Sequence, residues 1–441
     1  MKTITNWNYH PYRPLDCEER SNCPFLSRIE PATDSILIEW FDTEEAEHTL
    51  YVRERYTGVW FHEEITAELH RLKALKVNTE YEFYIQRKTG VKSNFRLAKT
   101  GTVPGIVVNY LHPEDNQYQF SGKYLCSPSL VKLPSGALLA SMDLFAGAHA
   151  QNLTVICRSD DGGNTWHYFT ELFPCFWGKL FVHHEKLYML GVSREYGDLL
   201  IGCSEDEGKT WSMPTVLARG ACFSNENGIH RAPCVVLQSD GRLWTAVEYG
   251  SWSKNKFSNA LYSVDENADL LNAANWVSTG FLPHNRNWEN ACNVIGAIEG
   301  NAVKAPNGDI INFLRYATNK ALLLKTNPEN PEEISFYKVI DFPMAHTKFE
   351  IIQHKNGTYY AVGNRLPLRN ILSLYQSFDL EKWEFVKDIL NYESYDTGKT
   401  AFQYPSFLID GDEVLILSRT GFNGAANFHD SNYITFHKTT L

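Results

Sequence analysis

The chain has 441 residues and a formal net charge of -11. That balance argues against nucleic acid as a partner, yet leaves room for local basic residues that grip an anion. No apolar run approaches the ~20 residues that cross a bilayer, so no membrane partner is expected, and the first ten residues lack the apolar core of a signal peptide. The 11 Trp, 23 Tyr and 25 Phe fit a β-rich protein whose flat rings pack a core or stack on sugars. Nine cysteines, none in a C-x-x-C pair, sit mostly in apolar runs and read as free thiols of a reducing compartment. Only Cys17 and Cys23 are spaced to pair or to clamp a metal. A cytoplasmic location is expected, or a secreted one if an export signal has been trimmed.

Residues 1–24, with Pro11 and Pro14, read as an irregular lead-in. From 25 to 101 the sequence alternates like strands at Ser35–Trp40, His48–Arg55 and Gly58–Thr66. Leu75, Thr79 and Tyr81 follow, spaced as in a tyrosine corner, with Trp40 as a core ring. These residues resemble a fibronectin type III domain. The resemblance implies a β-sandwich that spaces or docks, with a protein or a glycan as its contact. Thr102-Val103-Pro104-Gly105 is a short linker.

Beyond it the chain repeats. Ser159-Asp160-Asp161-Gly162-Gly163-Asn164-Thr165-Trp166 has a second copy in Ser204–Trp211, an interval of about 45 residues, the length of a four-stranded propeller blade. Asp and Ser/Thr side chains bond the backbone of a tight turn, Gly takes φ > 0, and Trp plugs the turn onto the next strand. Weaker copies lie at Ser263–Trp276 and Ser377–Trp383. Paired apolar strands around a turn recur at Pro128–Ala140, Leu180–Leu190, Ala232–Val247, Ala302–Leu314, Phe349–Val362 and Phe407–Leu417. The fold class is therefore all-β, with six units over 105–441. The strand Gly105–Leu111 is expected to complete the last unit and close the ring.

The octets resemble the Asp-box of sialidase-like propellers. Two positions depart from that family: Cys126 stands where it carries the first of three arginines that hold a sugar carboxylate, and Gln151 stands where it carries an acidic Asp. The second half, through His230-Arg231-Ala232-Pro233, Glu299-Gly300-Asn301, Thr347-Lys348-Phe349, Arg369-Asn370 and His429-Asp430-Ser431-Asn432, also resembles propellers acting on the rhamnose–glucuronic acid linkage. Those relatives are seven-bladed, which makes seven blades the alternative architecture.

In a propeller the innermost strands ring an axis, so polar residues at their starts converge on one cup. His230, Arg231, Glu299, His346, Lys348, Gln403 and Tyr404 hold such places. Glu248, Arg315, Arg365, Arg419 and His429 fall at the ends of second strands or in the loops after them. The implied chemistry is release of a terminal sugar from an acidic, uronate-containing glycan, by β-elimination or hydrolysis. Elimination needs neutralisers for the uronate, here Arg231, Arg315, Arg365, Arg419 and Lys348, with His230, His346 and Tyr404 as base and acid. Hydrolysis needs two carboxylates, and Glu248 and Glu299 are the pair in view. An exo-sialidase with a rearranged site and a non-catalytic glycan-binding propeller are the other readings. No cofactor is expected, apart from a divalent cation that a central channel has room for.

Overall fold

A computed structural model describes Trp7 and residues 23–254, 256–288 and 296–441. Cys17, Cys292 and nearly all of the expected lead-in lie outside these residues. Among the described residues every long element is a strand, and the helical pieces are two 3-10 turns, Trp252–Lys254 and Ala273–Asn275.

Residues 25–99 form two facing antiparallel sheets of three and four strands. Trp40, Leu50, Val52, Phe83 and Ile85 meet between them. The Tyr81 hydroxyl accepts the Lys76 N–H at 2.9 Å, tying the crossover loop to the strand that follows it.

Six antiparallel sheets follow. Their first strands are Tyr124–Lys132, Phe176–His183, Gly228–His230, Ile298–Lys304, Glu350–Gln353 and Ala401–Asp410. Five sheets have four strands; the third has six. The strand Ile106–Tyr110 pairs with Tyr433–Thr440 and supplies the outer edge of the last sheet, as its position before the first unit led one to expect. Ala401–Asp410 also packs on Tyr124–Lys132, so the last sheet returns to the first.

The octets shape their turns as expected. Asp161 accepts N–H bonds from Asn164 and Thr165, Ser159 Oγ accepts the Gly163 N–H, and Trp166 Nε1 donates to the Gly163 carbonyl. Asp206 and Trp211 repeat this, and Asp379 and Trp383 keep most of it. Trp166 packs edge-on to Phe436 of the last sheet, so the first box also clasps the closing seam. Trp166→Ala should cost about 3–5 kcal/mol, read as a lower urea midpoint at unchanged slope. The Thr165 hydroxyl and N–H hold the Asp161 carboxyl down at about 2. A depressed carboxyl stabilises above its unfolded value, so this contribution is lost as pH falls from about 4 towards 2.

Candidate active site

Four of the six first strands break register at one equivalent place. The shifts fall opposite Ser141–Asp143 and within Phe176–Lys179, Ile298–Asn301 and Gln403–Ser406. Each bulge holds a non-glycine residue at left-handed φ: Ser127 at 49°, Trp177 at 49°, Glu299 at 58° and Tyr404 at 51°. Such backbone costs of order 1–3 kcal/mol per residue and persists where the surroundings impose it. Bulges re-aim side chains. Here they act at one level of the first, second, fourth and sixth sheets, and they mark a cup around the axis.

One wall is cationic. Arg315 donates to Glu299 at 2.9 Å and lies close enough to the Tyr404 hydroxyl to act on it, so one guanidinium stands next to both the carboxylate and the phenol. The Arg419 guanidinium lies 5.0 Å from the Tyr404 ring and 4.4 Å from that of Phe145. Arg369 lies 5.8 Å from the Tyr404 ring and donates to Gln403 Oε1 at 2.6 Å. Three guanidinium groups thus surround one tyrosine. Burial pushes the Glu299 carboxyl up, but Arg315 outweighs it and the net shift is downward, so the group is ionised. Arg419 stands close enough to the Cys126 thiol to act on it. The last sheet thereby brings a guanidinium to the neighbourhood of Cys126.

The opposite wall is aromatic and acidic. Trp177 stacks edge-on to His230, with ring centres 4.5 Å apart. Its N–H donates to Asp143 and its carbonyl accepts from Arg231. Burial pushes the Asp143 carboxyl up to about 8. Next in the chain to Tyr196, whose ring packs on Trp177, Glu195 accepts the Gln151 side-chain amide at 2.5 Å, and its N–H donates to the Gln151 carbonyl. Burial raises the Glu195 carboxyl, against a weaker pull from His230.

The expected residues divide accordingly. Glu299, Arg315, Tyr404, Gln403, Arg419 and His429 come together. His429 bonds Asp430, and Arg419 and burial depress its imidazole. His230 joins from the facing wall. Glu248 is fully buried behind it, holding His230 Nδ1 at 2.7 Å and the Gly300 N–H at 3.1 Å. It orients both walls and is not the second carboxylate of a hydrolytic pair.

Three expected cations serve elsewhere. Arg231 spends its guanidinium on the Trp177 and Leu190 carbonyls, and burial lowers it to about 10. Lys348 is fully buried on the Pro405 carbonyl. Arg365 forks onto Asp388 at 2.8 and 2.9 Å, away from the cup. His346 lines a cavity of about 200 Å³ with Trp252, Tyr316 and Arg315; burial, with Arg315 and Arg369, depresses it to about 4, leaving it neutral. Lys179 meets Glu350 at 2.6 Å in the buried layer between the second and fifth sheets. With Lys348 it puts two ammonium groups near the axis, where a divalent cation would meet like charge. Among the described residues no group of three or more His, Cys, Asp and Glu gathers as a metal site.

Trp177, Glu195 and Arg369 were not anticipated. The Phe176-Trp177-Gly178 opening of the second unit was a signal of the kind used for later units. Arg369 already stood in a quoted motif. Glu195 carries no local signal, because only its contact with Gln151 places it.

Comparison with known proteins agrees with this architecture. A family profile described as a BNR repeat-like domain matches residues 189–416. No curated protein matches the chain. Among solved structures it is similar to a sialidase of Hadza microbial origin, at 12% identity and a TM-score of 0.52 over 95% of each chain. It is also similar to a Penicillium chrysogenum α-L-arabinanase complexed with arabinobiose, at 13% identity and 0.51 over 77% of this chain and 98% of that one. A leech intramolecular trans-sialidase matches at 11% identity and 0.50, over 95% of this chain and 92% of that one. These likenesses speak for the fold, a sialidase-like propeller. With more than half of its length matched by the profile, the chain belongs to the BNR repeat-like domain family.

Proposed function

We propose that this protein is a glycoside hydrolase that removes a terminal, carboxylate-bearing sugar. The observation that carries the reading is the convergence of Arg315, Arg369 and Arg419 on Tyr404, with Glu299 fixed beside it. Guanidinium groups recognise carboxylates by paired bonds, and each of these three keeps donors beyond those its protein partners take. Phe145 and Trp177 offer faces for a sugar ring. Tyr404 supplies the oxygen that meets the anomeric carbon and Glu299 receives its proton, since an ionised carboxylate next to the phenol is suited to that task. Solved proteins of similar fold named as sialidases and an arabinanase support glycan chemistry in general.

Within this reading the six sheets are six blades, and the N-terminal sandwich is a fibronectin type III module, as the Tyr81–Lys76 bond supports. Fluorogenic glycosides of N-acetylneuraminic acid and glucuronic acid, with neutral arabinofuranoside as control, test the substrate class. Turnover of one of the acidic pair, with Arg369→Ala raising KM at least ~30-fold, is expected. Turnover of the neutral sugar alone would refute the reading. New ultraviolet absorbance from an unsaturated uronate would replace hydrolysis by elimination.

A further inference from the structure

We propose that Glu195 is the proton donor to the departing oxygen, held in place by Gln151. The inference rests on the hydrolase reading above. A charged sugar leaving an alcohol needs a carboxyl or an imidazole to protonate the bridging oxygen. Glu299 is paired with Arg315, burial holds His346 down at about 4, and Asp143 and Glu248 are fully buried. Glu195 is half-buried within electrostatic reach of His230, and Tyr196 next to it packs on Trp177. A two-bond cycle fixes it, the Gln151 amide on Oε2 and its own N–H on the Gln151 carbonyl. Both ends of the cycle are set by left-handed backbone, Gln151 at 50° and Tyr196 at 60°.

The amide occupies Oε2, so Oε1 carries the proton. Burial raises the Glu195 carboxyl, while the Arg315 ion pair holds Glu299 down. Two carboxyls whose surroundings push them apart divide the acid and base work. In the first step the Glu195 proton moves to the glycosidic oxygen. The C–O electron pair follows it, the alcohol leaves, and Tyr404 oxygen bonds the anomeric carbon as Glu299 takes the phenol proton. Water then attacks that carbon. The Glu195 carboxylate takes one water proton, and Glu299 returns its proton to the departing Tyr404 oxygen.

The test compares leaving groups. Glu195→Gln should lower kcat/KM by ~10³ on an alkyl glycoside of the acidic sugar, but by less than ~10 on the nitrophenyl glycoside, whose leaving group needs no proton. The alkaline limb of its pH profile should vanish. Equal losses on both substrates, or none, would overturn the assignment. Carboxyl ¹³C NMR of the whole protein gives a readout independent of turnover. One glutamate titrating above the others, absent in Glu195→Gln, is expected, and its persistence in the variant overturns the proposal. Wild-type inactivity on every acidic glycoside sinks the substrate reading alone, and the titration still decides the state of Glu195.

Discussion

Tyr404→Phe should lower kcat/KM by ~10⁴ or more on acidic glycosides while leaving the thermal midpoint within a few degrees. The phenol oxygen is the one atom lost. The ring that Arg369 and Arg419 pack against stays, and the left-handed backbone at 404 is demanded by the bulge, not by the hydroxyl. A loss under tenfold would remove Tyr404 from the reaction. Glu299 would then be the nucleophile, and Glu299→Gln would show the larger loss.

The second large effect concerns stability. Glu350 accepts from Lys179 at 2.6 Å and from the Phe407 N–H at 2.9 Å, fully buried where three sheets meet. Burial lowers the Lys179 ammonium against the pull of Glu350. Glu350→Gln leaves Lys179 and Lys348 facing each other without an anion and should cost about 3–5 kcal/mol in urea unfolding. Adding Lys179→Met should recover most of that, because an apolar side chain needs no counter-charge. Failure of the second change to restore stability would show that the hydrogen bond to Phe407, not the charge, was decisive.

Much of the architecture could be read from residues near one another in the chain. The turn octets name their bonds in order, and Gly105–Leu111 stood out as a strand with no local mate. Arg315 and Glu299 were legible because neighbouring strands of one sheet carry them to the same end. What escaped depends on contacts between sheets. Arg231 looks like a substrate grip until the Trp177 and Leu190 carbonyls arrive from the previous sheet. Lys348 looks like a neutraliser of the substrate carboxylate until its ammonium is seen to sit on the Pro405 carbonyl. Arg365 is the exception, for it meets Asp388 two strands away within its own sheet. Glu195 became visible only through Gln151, 44 residues earlier in the chain. Cys126 and Gln151 read as losses in the sequence. In the folded protein Arg419 and Glu195 stand beside those two positions, each arriving from a different sheet.

The pairing of Ile106–Tyr110 with Tyr433–Thr440 has a consequence for synthesis. The first of these strands leaves the ribosome more than three hundred residues before the second, so its edge must wait for a partner not yet made. A stalled or clipped chain that lacks the final strand exposes that edge together with Trp166, whose ring partner Phe436 is lost with the strand, and a chaperone or protease can recognise the unfinished product there.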